Sequence, residues 1–152
     1  MALDLHSELR GIVKALDGAG IAYALVGGLA VSVYAAPRAT EDVELLLARE
    51  DLPRAVERLA PLGFRPAGTS MSVAAGRLGI QGLIKIDGSD VVPVDLLVPH
   101  DAPLAAILTA REIIAWEDGH LSIVSLAGLR ALKRLRGSAQ DRADLEALGP
   151  EL

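Results

Sequence analysis

A chain of 152 residues is the size of one domain, able to withdraw roughly two-thirds of its unfolded surface from water. Its 15 Lys plus Arg against 20 Asp plus Glu leave a net charge of −5, which argues against broad binding to duplex nucleic acid, because such binding runs on phosphate neutralisation. Apolar residues make up 51% and aromatics only 3%, so Leu, Val, Ile and Ala must build the core, and the lack of cysteine excludes disulfide frameworks and thiolate metal sites.

Leu5, Leu9, Ile12, Val13 and Leu16 form a helical stripe that predicts a helix over 4–17, stopped by Gly18-Ala19-Gly20. No basic segment followed by an apolar stretch opens the chain, and no run approaches the ~20 apolar residues that span a bilayer. The expectation is a soluble, cytoplasmic protein without a membrane partner. Ile21 to Val26 is a continuous apolar run of strand length that ends at Gly27-Gly28, followed by a short helix over 29–36. Pro37-Arg38-Ala39-Thr40 breaks that helix, and 42–48 reads as a second strand. Asp51-Leu52-Pro53 then offers a helix start with Pro in the first turn, running to about Leu59.

Gly63, Pro66 and Gly68 punctuate a loop, and apolar stretches flank Asp87-Gly88-Ser89-Asp90, which reads as a hairpin connection. Beyond it come a helix over 102–110, a short hairpin around Glu117-Asp118-Gly119, a helix opened by Ser125 and a last helix opened near Gln140 or Asp141. Nothing in the chain reads as a linker, a repeat or a low-complexity tract.

Three acids interrupt this apolar background. On a strand with a side-chain period of two, Asp42 and Glu44 share a face, and Asp95 rides on the second strand of the predicted hairpin. Two or three fixed carboxylates can hold two divalent ions that orient a nucleoside triphosphate and stabilise its leaving pyrophosphate. The small-residue turn at Gly27-Gly28 lets backbone approach a phosphate, with the next helix aiming its amides at the anion. The bland alternative for the acids is a polar strand face that simply meets solvent.

Other signals are poorer. Gly18-Ala19-Gly20 follows a helix and has no third glycine at the spacing a dinucleotide fold needs. His6, His100 and His120 contain no pair four apart, and no serine lies in a Gly-x-Ser-x-Gly elbow. Zinc and serine-hydrolase chemistry are therefore disfavoured. From Leu126, at roughly 100° per residue, Leu129, Leu132 and Leu135 sweep one helical face, and Lys133 and Arg136 fall within it. Both could enter a cleft or could cover apolar surface with their stems while the charges stay wet.

Val26-Gly27-Gly28-Leu29-Ala30, Pro37 to Leu45 and Val94-Asp95-Leu96-Leu97 together resemble the nucleotidyltransferase signature of the DNA polymerase β superfamily. The small bacterial proteins grouped with abortive-infection and toxin–antitoxin systems are the most similar members, and lincosamide and aminoglycoside nucleotidyltransferases are more distant. The resemblance implies an α/β (α+β) nucleotidyltransferase fold over 1–152 as a single domain. Its core would lie at 21–98, with a small, mixed, twisted sheet, helices packed mainly on one face and a helical C-terminal segment at about 125–150.

It also implies two Mg2+ ions, with Mn2+ as the substitute, held by Asp42, Glu44 and Asp95, and a triphosphate cradled by Gly27 and Gly28 and offset by Arg38 and Lys133. A nucleoside monophosphate would pass from an NTP to an acceptor of open identity, whether a protein, an RNA end or a small molecule such as an antibiotic. A cognate toxin or antitoxin is the implied protein partner. At Glu44 the family usually carries aspartate, and where relatives often have a basic residue three positions before the acid matched by Asp141, this chain has Ser138. The competing expectation is a catalytically degenerate member that binds nucleotide or protein.

Overall fold

The computed structural model describes residues 3–117 and 119–150. Helix α1 spans Leu5–Gly18, with Asp4 accepting from the Ser7 amide as its N-cap and with Leu9, Ile12, Val13 and Leu16 buried along the stripe. The fully buried strand β1 (Tyr23–Val26) leads straight into α2 (Gly27–Tyr34), which begins at the glycine pair itself, two residues earlier than the sequence predicts. Strand β2 (Val43–Leu47), a 3-10 turn at Arg49–Asp51 and α3 (Leu52–Leu59) follow.

The loop expected around Gly63, Pro66 and Gly68 contains a short strand, β3 (Arg65–Pro66), and a second, β4 (Met71–Val73), follows it; both are too brief to show a period. Strands β5 (Leu78–Asp87) and β6 (Asp90–Pro99) form the predicted hairpin, paired along their full length from Leu78↔Pro99 to Asp87↔Asp90. Helix α4 (Ala102–Thr109), strands β7 (Glu112–Trp116) and β8 (Gly119–Ile123), α5 (Leu126–Arg136) and α6 (Ala139–Leu148) complete the described chain. Asp118 of the predicted hairpin turn lies outside the described residues. Ser125 caps α5 as expected, whereas α6 starts earlier than predicted, because Ser138 caps it.

All eight strands belong to one mixed sheet, ordered β3-β5-β6-β2-β1-β8-β7, with β4 also paired to β5. Parallel pairing joins β2 to β6 and β1 to β8, while the other pairs are antiparallel. The Lys85–Glu8 ion pair at 2.9 Å fixes α1 over the sheet face that carries Lys85. Glu44 and Asp95 occupy the opposite face, where Val26 and Leu97 meet Leu129 and Leu132 of α5. Sheet and α5 thus hold the acids at the rim of an apolar contact.

Candidate active site

Parallel register sets Glu44 of β2 opposite Asp95 of β6, so their side chains leave the same face of neighbouring strands. Asp42 stands one residue ahead of β2, and Thr40 Oγ1 donates to its Oδ1 at 3.2 Å. One oxygen from each of the three carboxylates falls within 4.8 Å of the others, and all three residues are half-buried. Burial, together with the Glu44 and Asp42 charges, holds the Asp95 carboxyl above its ordinary range, and Arg136 opposes this. Hard oxygen donors, crowded until they repel one another, are the donor set that Mg2+ or Mn2+ takes, so the residues present fit the implied ions.

Glu44 is longer than an aspartate by one methylene, and the fold makes room for it at Gly27. That glycine has φ +71, and a Cβ built on it would lie 1.9 Å from Glu44 Oε2. Any other residue there would meet both a left-handed backbone and the carboxylate. At Gly28 a Cβ would lie 2.9 Å from both Arg38 Nη2 and Thr40 Oγ1, so the second glycine admits the loop that carries these side chains. Ser32 ties the same loop to α2, donating to the Gly28 carbonyl at 3.1 Å and accepting from the Arg38 amide at 3.3 Å.

From the C-terminal helices, Arg136 Nη1 donates to Glu44 Oε1 at 2.8 Å. Withdrawal from water works against the charge on Arg136, but the hydrogen bond to Glu44 and the surrounding carboxylates outweigh it and raise the guanidinium pKa. Lys133 is buried, with Nζ 3.1 Å from Asp141 and 2.8 Å from Asp144. Arg38 reaches the same Asp144, its Nη2 donating to Oδ2 at 2.9 Å and its Nε standing 2.9 Å from Oδ1. Burial disfavours the charges on Asp141 and Asp144. Hydrogen bonds outweigh it and lower both pKa values, from Ser138 and Lys133 to Asp141, and from Lys133, Arg38 and Gln140 to Asp144.

Ser138 closes a capping box. Its Oγ accepts from the Asp141 amide, and Asp141 Oδ2 accepts from the Ser138 amide, each at 3.0 Å. Asp141 is thereby fixed from two sides, by the cap and by Lys133.

No protein-family model matches the sequence, and no curated protein matches it. In structure, the chain is similar to ANT(2'')-Ia in complex with adenylyl-2''-tobramycin, with TM-score 0.62 and 11% identity over 93% of this chain and 86% of the other. It is similar to TM1012, a proposed nucleotidyltransferase from Thermotoga maritima, with TM-score 0.61 and 11% identity over 95% and 94% of the two chains. The lincosamide antibiotic adenylyltransferase LnuA, lincomycin-bound, gives TM-score 0.55 and 12% identity over 97% and 98%.

The fold is the nucleotidyltransferase fold. At these identities the likeness is one of architecture, and the residues of this chain define its largest cleft beside the three acids.

That cleft has a volume of about 520 Å3 and is lined by Gly28, Arg38, Thr40, Asp42, Glu44 and Lys133, among others. Gly27 lies beside it under Glu44, and Asp95 faces a smaller adjoining cavity that shares Arg136 with the neighbourhood of the cleft. The structure therefore gathers Asp42, Glu44, Asp95, Gly27, Gly28, Arg38 and Lys133 into one region, and Arg136 with them. Thr40, Ser32 and Asp144 belong to it as well and were not singled out. A hydroxyl two residues before an acid carries no pattern of its own, and Asp144 becomes conspicuous only once Lys133 and Arg38 are seen to converge on it. Among the described residues no helix is long and apolar enough to cross a membrane.

Proposed function

We propose that the chain transfers a nucleoside monophosphate from an NTP to an acceptor hydroxyl, with divalent ions bound by Asp42, Glu44 and Asp95. The observation that carries this reading is the convergence of the three carboxylates at the edge of a cleft whose other walls supply Gly28, Arg38 and Lys133. Bound Mg2+, or Mn2+ in its place, would neutralise the triphosphate and favour ionisation of the acceptor hydroxyl.

The chain's own residues do the rest. Gly27 and Gly28 hold the polyphosphate near the first amides of α2, and Arg38 sits above Gly28 to offset its charge. Lys133 adds positive charge from the floor of the cleft while holding Asp141 and Asp144. Asp95 accepts the hydrogen bond of the acceptor hydroxyl and receives its proton. The acceptor oxygen bonds to the α-phosphorus, the bond from that phosphorus to the oxygen bridging to the β-phosphate breaks, and pyrophosphate leaves.

We read residues 1–152 as one domain with this activity, supported by the single sheet that joins all its strands. The antibiotic and antibiotic adduct held by two of the structural neighbours favour a small-molecule acceptor. A toxin–antitoxin or phage-defence setting in the cytoplasm rests on the sequence resemblance. A second reading, a degenerate member that binds without turnover, is favoured by one feature: Glu44 is seated over Gly27 and clamped by Arg136.

Transfer of label from a panel of α-labelled nucleotides in Mg2+ separates the two readings. The wild type is expected to transfer. Glu44→Asp should lower the rate about 10- to 100-fold, because the shorter side chain draws its carboxylate back from its two partners. Silence in the wild type with activity gained in Glu44→Asp identifies a degenerate enzyme, and silence in both rejects nucleotidyl transfer.

A further inference from the structure

Beside Asp95, and sharing Arg136 with the large cleft, lies a second cavity of about 260 Å3. Cross-strand register explains its lining. Met71 pairs with Ile80, Gly82 with Asp95 and Ile84 with Pro93, so these residues share the face on which the acids lie. Directly opposite Asp95 the chain has no side chain at all. A Cβ on Gly82 would make ordinary contact with Asp95 Oδ1 and the Ala67 carbonyl, each at 3.5 Å, so the glycine leaves the carboxylate open to this cavity.

The chemistry of the walls is one-sided. Met71, Ile80, Ile84 and Pro93 are apolar, and Thr69 supplies a hydroxyl. Among the described residues that line it, only Asp95 and Arg136 are ionisable, and Arg136 is already bound to Glu44. A polycation could meet carboxylates only at the inner end, at Asp95 and its neighbours, and its other ammonium groups would lose water against aliphatic walls. An uncharged molecule would bury its apolar body and bring one hydroxyl to Asp95. The volume lies just below the ~300–1,000 Å3 of drug-sized sites, which sets a compact ligand.

Resting on the nucleotidyl-transfer reading, we propose that this cavity is the acceptor site and that the acceptor is a compact, neutral, largely apolar alcohol. Its hydroxyl meets Asp95 at the inner end, next to the nucleotide cleft, and Met71, more than half exposed, forms the rim. The acceptor loses its hydroxyl proton to Asp95 and gains the nucleoside monophosphate, as in the transfer above.

The test is amide NMR of the whole chain titrated with 2-phenylethanol, cyclohexylmethanol and tobramycin, with a non-hydrolysable ATP analogue and Mg2+ in a separate arm. Both alcohols are expected to shift the amides of Gly82, Ile84 and Met71, and tobramycin is not. Gly82→Val, which fills the cavity, should weaken the alcohols about 10-fold or more. Met71→Glu, at an exposed position that tolerates the change, should weaken them about threefold and improve tobramycin. Alcohols that leave these amides unmoved, or tobramycin binding there more tightly than they do, overturn the proposal. Nucleotide shifts at Gly28 and Thr40 without alcohol shifts reject the acceptor class alone. Alcohol shifts without nucleotide shifts show that the nucleotidyl-transfer reading has failed, and with it the acceptor role.

Discussion

Asp95→Asn is expected to lower nucleotidyl transfer about 100- to 1,000-fold while making the protein slightly more resistant to unfolding. The two effects have one cause. Burial and the Glu44 and Asp42 charges raise the Asp95 pKa in the folded protein, so between its ordinary value near 3.8 and the raised folded value the native state binds the extra proton. Stability therefore falls as pH rises through that window, and above it the cost of the ionised carboxylate is fully present. Asparagine keeps the shape and removes that cost. It also removes the oxygen charge that holds a cation and takes the acceptor's proton. Label transfer and thermal melts on the same preparations at neutral pH check both halves; a variant that melts lower and still transfers would show that Asp95 is a structural residue.

The second large effect falls on stability. Lys133→Met should destabilise the fold by about 3–5 kcal/mol, because it leaves the buried Asp141 and Asp144 without their shared counter-ion. Arg38 and the neutral Gln140 would then face Asp144. Adding Asp141→Asn and Asp144→Asn to Lys133→Met should recover much of the loss, since the unpaired charges disappear along with their partner. The same carboxylates set an acid limit. Their folded pKa values lie below the ordinary 3.8, so the stability they contribute is present above that value and is lost as pH falls through the lower folded values. Urea unfolding at pH 7 and at about pH 3 should show the wild type losing stability and the triple variant losing much less. Equal acid sensitivity in the two would place the labile carboxylates elsewhere.

How far the sequence could be read depended on the range of the interaction involved. The stripe of α1, the run of β1 and the β5–β6 hairpin follow from local periods and turn residues, and all three appear in the structure. The likeness of Asp42, Glu44 and Asp95 was legible because acids inside apolar runs need a reason to be there. That they meet is also expected from the sequence, but the parallel pairing of β2 with β6 that brings them together is not; a shift of one residue would send Glu44 and Asp95 to opposite faces. The short strands β3 and β4 escaped because two and three residues cannot show a period, yet β4 supplies Met71 to the second cavity. Lys133 and Arg136 were visible as basic residues on an apolar helical face, but the carboxylates that bind them lie 8 and 11 positions from Lys133 and 92 positions from Arg136. Ser138 stood out only as a departure from a pattern, and the fold assigns it a cap.

Nucleotidyl transfer by this chain requires that the three carboxylates form one cation site coupled to nucleotide. Calorimetric titration of Mn2+ into the wild type and into the Asp42→Asn, Glu44→Gln, Asp95→Asn variant, with and without a non-hydrolysable NTP, measures this directly. Binding that needs the carboxylates and tightens with the nucleotide is the predicted result, and by linkage the nucleotide must tighten by the same factor with Mn2+. Wild-type Mn2+ binding no stronger than that of the triple variant, or indifferent to the nucleotide, would contradict it.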